Sequence, residues 1–252
     1  MVTERTSAGE PSRTLRLLWR SPDDAPRRGP RQGLTIDGVI AAATELADAD
    51  GLDALTMRKV AQALGVVAMT LYTYVPGKAE LLDLMLDAAY TRMERTPTTG
   101  RPWRARVTAV AAENRRLYET HPWAARVSTV RPLLGPGQMA KYEHELSALD
   151  SLGLSDVEVD ASLTHLLSFV QAWARSAADA RAAEADSALT DEQWWAANAP
   201  LLDRVLDPSM YPLATRVGSA AGAAHGTAYE PGHAYEFGLE LVLNGLAALV
   251  ER

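Results

Sequence analysis

From Thr35 onward, apolar residues recur at three- and four-residue steps, and Gly51, Gly65 and the Pro76-Gly77 pair cut that pattern three times. Glycine ends helices by accepting a left-handed backbone, and proline cannot continue one. The intervals are therefore confined to three short helices, none able to bury enough apolar surface to stand alone. They must pack on one another and on the rest of the chain. Thr35 is the N-cap of the first, where Ile36, Val39, Ile40, Ala43, Leu46 and Ala47 form one stripe. Thr56 opens the second, with Val60, Ala61 and Leu64 facing one way, and the third, about 68–75, turns Leu71 and Val75 inward. From Lys78 a longer helix carries Leu81, Leu82, Met85, Leu86 and Ala89 on one face.

The remainder reads as helical too. Candidate helices cover 103–120 and 138–152, and Ser155–Glu158 and Thr190–Gln193 are capping boxes, the first opening a helix that extends to about 185. The Gly-rich stretch 218–232 reads as a flexible loop, and 234–250 closes the chain. No strand alternation and no internal repeat emerge, so the class is all-α. Residues 1–33 are rich in Pro, Arg, Ser and Gly, carry a net charge of +3 and show no sustained periodicity, which describes a flexible Arg-rich arm. Cysteine is absent, which excludes disulfides, Cys-ligated zinc, iron–sulfur clusters and thiol catalysis. No apolar run reaches the roughly 20 residues that span a bilayer. The patch Leu15-Arg16-Leu17-Leu18-Trp19 is too short and too charged for a signal peptide. These features predict a cytoplasmic protein with no membrane partner. The net charge of −7 argues against indiscriminate coating of nucleic acid, but not against a local basic surface.

Such a surface exists. Positions 56–79 hold Arg58, Lys59 and Lys78 and no acid. Within them Ala61, Gly65 and Leu71 meet the needs of a helix-turn-helix in order: a small residue at the crossing, a left-handed turn and an inward anchor. The second helix of such a unit offers its outer face to a major groove. That face holds Val67, Ala68, Met69, Thr70, Tyr72, Thr73 and Tyr74, whose hydroxyls suit phosphates and base edges and whose methyl groups suit thymine. Arg58 and Lys78 bracket it as phosphate clamps. On spacing alone, a plain solvated surface helix remains equally open.

Residues 35–86, above all LTMRKVAQALGVVAMTLYTYVPGKAELLDLMLD, resemble the N-terminal domain of the TetR family of transcriptional regulators, including the turn, the Thr70-Leu71-Tyr72 run and the lysine beyond it. Trp103, His121-Pro122, Arg131-Pro132 and Glu236-Phe237-Gly238-Leu239 make the rest similar to the C-terminal domain of the tetracycline repressor subgroup. The resemblance implies a homodimer closed by a four-helix interface, an effector pocket in each C-terminal domain, and DNA contacts at Ala68, Met69, Thr70, Tyr72, Thr73, Tyr74 and Lys78. Where the tetracycline repressor holds its metal–drug chelate with histidines and an asparagine, this chain places Glu94, Val110 and Val127 or Ser128, which argues against a magnesium–tetracycline effector.

The division expected is an arm at 1–33, a helix-turn-helix DNA-binding domain at 34–77 and a helical effector-binding and dimerisation domain at 78–252. The partners expected are double-stranded operator DNA, a small-molecule effector and a second copy of the chain. The C-terminal part offers Trp103, Tyr118, Met139, Phe169 and Trp173 as an aromatic and apolar lining, with Asn114, Gln171 and His165 as polar handles; simple core packing is the alternative at each. The five histidines form no close metal-ligand pattern, and neither a catalytic constellation nor a cofactor motif is present. Arg27, Arg28 and Arg31 could follow a neighbouring groove or belong to a solvated tail. The resulting reading is a ligand-responsive regulator, a repressor released from a palindromic operator. The alternatives are a DNA-binding activator, and an all-α carrier or enzyme whose helix-turn-helix is incidental.

Overall fold

A computed structural model describes residues 4–20 and 34–251. Its elements are helices, α1 (Pro11–Leu18), α2 (Ile36–Asp50), α3 (Met57–Ala63), α4 (Ala68–Tyr72), α5 (Lys78–Arg92), α6 (Trp103–Thr120), α7 (Pro122–Arg126), α8 (Pro136–Ser147), α9 (Asp156–Ser187), α10 (Asp191–Val205), α11 (Pro212–His225) and α12 (Pro231–Val250). The extended backbone pairing among the described residues is one isolated parallel bridge, Arg5 to Ser128.

The three short helices form as their boundaries dictate. Thr35 and Thr56 accept from the backbone N–H of Gly38 at 3.0 Å and of Lys59 at 3.2 Å, each capping a helix start. Gly65 has φ +66°, and the chain turns so tightly that the Val66 N–H donates to the Ala61 carbonyl at 2.9 Å. Leu71 and Val75 are fully buried and meet Val39, Ile40, Leu55 and Val60 in one core.

Helix α5 joins this headpiece to the rest and is buried without a break from Glu80 to Asp87. It packs on α2, α1 and α8. Two acids one turn apart on it, Asp83 and Asp87, are buried. Asp83 accepts from the Ser7 N–H at 3.0 Å. Asp87 accepts from the N–H groups of Gly137 at 3.2 Å and Gln138 at 2.9 Å, so a carboxylate from another helix satisfies the free N–H groups at the start of α8. Gly137 is required there, since a Cβ would collide with the Asp87 carbonyl oxygen.

A second polar seam joins α6 to α8. The Lys141 ammonium donates to both Glu145 oxygens, at 2.7 and 2.8 Å, and Asn114 Nδ2 donates to Glu145 Oε1 at 2.6 Å. All three residues are buried. Beside them His144 and Glu113 share a hydrogen bond of 2.8 Å, and Glu113 accepts from the Thr96 N–H at 2.6 Å. The long helix α9 packs against α6, α7 and α12, whereas α10 and α11 have no buried residue in the single chain.

Two expectations are corrected. Residues 4–20 are not a loose arm: Thr6, Thr14 and Leu18 are buried, and Glu10 caps α1 through the N–H groups of Ser12 and Arg13. Arg16, which breaks the apolar run, is exposed, while Thr14 and Leu18, four apart, are buried on the helix that packs on α5. Arg27, Arg28 and Arg31, expected to follow a groove or belong to a tail, lie outside the described residues. The stretch 218–232 is not one loop: Pro212 starts α11, whose alanines carry the helix through Gly218 and Gly222 to His225.

Burial pushes the Asp83 carboxyl up to about 6, opposed by the Ser7 N–H and assisted by the neighbouring Glu80 charge. The unfolded value is about 3.9. The folded chain thus holds an extra proton between these values, and ionising Asp83 costs stability that is fully felt above its folded pKa and vanishes below the unfolded one. Asp83→Asn, which keeps an acceptor for Ser7, should raise the melting temperature at pH 8, and the gain should close as pH falls through about 6 toward 4. For the second seam, Lys141→Met should cost about 3–5 kcal/mol in denaturant unfolding because Glu145 is left buried and unpaired. Adding Glu145→Gln, which removes the stranded charge and keeps the acceptor for Asn114, should restore most of it.

Candidate functional site

The packing of α4 decides which of its side chains face out. Leu71 and Val75 are consumed by the core, so the remaining positions of the turn are displaced to the other side. Met69 is 76% exposed and Tyr72 43%, and Thr73 is exposed as well. Ala68, Thr70 and Tyr74 are half-buried at the margin of this face, with Ala68 and Tyr74 packed against the core. Thr73 Oγ1 donates to the Thr70 carbonyl at 2.6 Å, which fixes the hydroxyl at the end of the helix. Arg58 is exposed on α3. The face is polar and apolar by turns, carries two phenols and two threonine hydroxyls, and has no acid within 56–79. Its chemistry suits hydrogen bonds to phosphate and base edges together with methyl contacts.

Lys78 is placed differently from a free clamp. Its ammonium lies 2.6 Å from Glu4 Oε1 and donates to the Leu52 carbonyl at 3.2 Å. Glu4 is therefore an acid brought to the edge of the acid-free segment from far along the chain. No local pattern around Glu4 signals this.

The headpiece meets the larger domain through more than α5. Asp48, near the end of α2, accepts from His121 Nδ1 at 2.8 Å and from Trp123 Nε1 at 2.7 Å. These bonds border a cleft of about 540 Å³ lined by Asp48, Asp50, Asp53, Arg126, Arg175 and Arg181, among others.

The residues expected to line an effector pocket fall into separate groups. Asn114 and Tyr118 lie inside the larger domain on α6, beside Glu145, and burial with the Glu145 charge pushes the Tyr118 hydroxyl well above its ordinary value. Asn114 Nδ2 also donates to the Val110 carbonyl at 3.0 Å, while its Oδ1 is buried with no partner. Trp173 and Phe169 on α9 gather around Tyr235, with ring centroids 4.9 and 5.8 Å away, and the Arg115 guanidinium lies 4.8 Å from the Trp173 ring. Trp173 Nε1 donates to the Pro231 carbonyl at 2.6 Å. Gln171 Nε2 donates to the Ala125 and Val127 carbonyls, both at 3.1 Å, which ties α9 to the end of α7. Trp103 is half-buried under the Arg104 guanidinium. Met139 is exposed, and His165 opens onto an apolar groove of about 360 Å³ between α9 and α12, with Ala161, Leu241 and Gly245.

Comparison with known proteins agrees with this architecture. Residues 39–85 match the family described as "Bacterial regulatory proteins, tetR family", and residues 96–250 match "Tetracyclin repressor-like, C-terminal domain". The chain is 40% identical over 249 residues to the HTH-type transcriptional repressor DrrR1 of Streptomyces coeruleorubidus, covering 98% of this chain and 90% of that protein. It is 27% identical to the Escherichia coli tetracycline repressor protein class C, over 83% of this chain and 89% of the repressor. Among solved structures, ActR of Streptomyces coelicolor in complex with actinorhodin superposes with a TM-score of 0.73 at 29% identity, covering 87% of this chain and 98% of ActR. Headpiece, linking helix and larger helical domain all find their counterparts, and the protein belongs to the tetR family of bacterial regulatory proteins.

Proposed function

We propose that this protein is a homodimeric repressor that binds a two-fold symmetric operator through α3 and α4 and leaves it when an organic effector occupies the larger domain. The observation that carries the reading is the division of α4: Leu71 and Val75 anchor the helix in the core, and Met69, Tyr72 and Thr73 are left outward beside Arg58. In this reading Ala68, Thr70 and Tyr74 contact DNA from the margin of the face, and Arg58 and Lys78 contact phosphate. DrrR1, by its name a transcriptional repressor, supports repression, and ActR, solved with actinorhodin, supports a small-molecule effector.

The dimer of this reading closes through α9 and α12, where Val157, Phe237 and Leu241 are exposed apolar side chains flanking the groove at His165. It holds the two α4 helices about 34–36 Å apart, one turn of duplex. In this reading the effector occupies the interior of the larger domain near Asn114, whose Oδ1 lacks a donor, and Tyr118, with Phe169 and Trp173 forming a separate aromatic group around Tyr235. Val110 and Val127 are buried and offer no metal ligand where the tetracycline repressor subgroup holds its chelate, which argues against a magnesium–tetracycline effector. It shifts the protein off DNA only by binding the DNA-incompetent arrangement more tightly.

Selection of bound fragments from random duplexes should enrich a palindrome, and failure to enrich any motif at low salt with folded dimer present would overturn the reading. On the selected duplex, Tyr72→Ala should weaken binding at least tenfold while the melting temperature stays nearly unchanged, since its side chain is outside the core. Arg58→Ala should weaken all duplexes alike and lower the salt slope by about one.

A further inference from the structure

The N-terminal residues connect two parts of the molecule that the proposed function requires to communicate. At one end Glu4 lies on Lys78, the cation at the first turn of α5 and the edge of the recognition face. Directly after it the chain pairs with the loop between α7 and α8: the Ser128 N–H donates to the Glu4 carbonyl at 2.9 Å, and the Thr6 N–H to the Ser128 carbonyl at 3.0 Å. Thr6 Oγ1 donates to the Arg131 carbonyl, and Ser7 Oγ to the Pro132 carbonyl at 3.2 Å. The Ser7 N–H is held by Asp83, buried on α5. Further on, α1 lies along α5, and Trp19 Nε1 reaches the Leu134 carbonyl of the same loop at 2.7 Å. Arg20 then pairs with Asp37 in the first turn of α2.

These contacts differ in strength along the path. Thr6 is 2% exposed and sits in a run of backbone and hydroxyl bonds, so this stretch moves with the loop. The Glu4–Lys78 pair is about one-third exposed on each side, and such pairs are weak and easily exchanged. A DNA phosphate offers Lys78 the same chemistry as the Glu4 carboxylate, an anionic oxygen acceptor, with a stronger local field. The strap is thus fixed where it meets the loop and exchangeable where it meets the recognition face.

The geometry points to residues 4–20 as a strap that carries the position of the α7–α8 loop to the recognition face, with Glu4 competing against a DNA phosphate for Lys78. This rests on the proposed DNA binding and deepens it by naming a regulatory contact at the same face. Movement of the loop shifts Glu4 through the Thr6–Ser128 bridge and so changes how available Lys78 is to the duplex.

The test measures affinity of the full-length chain for one duplex selected from random sequence, at low salt. Glu4→Gln should tighten binding about two- to fivefold, the range of an exposed ion pair. The gain should vanish in a Lys78→Ala background. Thr6→Pro, which removes the N–H that bridges to Ser128, should give a similar gain and add little to Glu4→Gln. Unchanged affinity for Glu4→Gln, or an equal gain without Lys78, would overturn the competition. A gain from Glu4→Gln with none from Thr6→Pro in a folded protein would overturn the coupling to the loop. If the wild-type chain fails to bind any duplex, the proposed DNA binding itself falls, which a negative result from the variants alone cannot produce.

Discussion

Among the links between the two ends of this molecule, those that fix the connecting helix α5 are two buried carboxylates one turn apart on it. Asp83 holds the N-terminal strap and Asp87 holds the start of α8, each by accepting backbone N–H groups. Apolar packing alone would let α5 slide or rotate against its neighbours at small cost, because hydrophobic contact has no direction. Hydrogen bonds to buried acceptors are directional and expensive to leave unmade. They give α5 a defined register against two elements at once. Burial raises both carboxyls against the favourable pull of their N–H donors, so the register of the helix is fixed at a cost in stability.

The α6–α8 seam repeats the principle in the interior. Lys141, Glu145 and Asn114 satisfy one another almost completely, and the remainder is a single amide oxygen. A seam of leucines would be at least as stable. A buried polar network instead specifies which side chains must face each other.

How much of the structure is readable from the sequence depends on the range of the interactions. The headpiece is legible because its determinants are local: Thr35 and Thr56 cap over three residues, Gly65 turns the chain at one position, and Leu71 and Val75 are one helical turn apart. The strap is not, because Glu4, Thr6 and Ser7 find their partners 74, 122 and 76 residues away, and nothing in their neighbours encodes those meetings. Its arginines break the apolar pattern in sequence, yet in space they form the outer face of α1. The glycines at 218 and 222 point to a loop where flanking alanines and Pro212 sustain α11. For the larger domain, residue type identifies Asn114, Tyr118 and Trp173 as interior, but type does not fix orientation, and Met139 and His165 are exposed.

The most direct measurement of the central idea, a pair of outward α4 helices presented by one rigid dimer, is a hydroxyl-radical footprint of the protein on its selected duplex. Two protected patches on one face of the duplex, centred about one helical turn apart and related by a two-fold axis, are the expected pattern. A single patch, or uniform protection without symmetry, would contradict it.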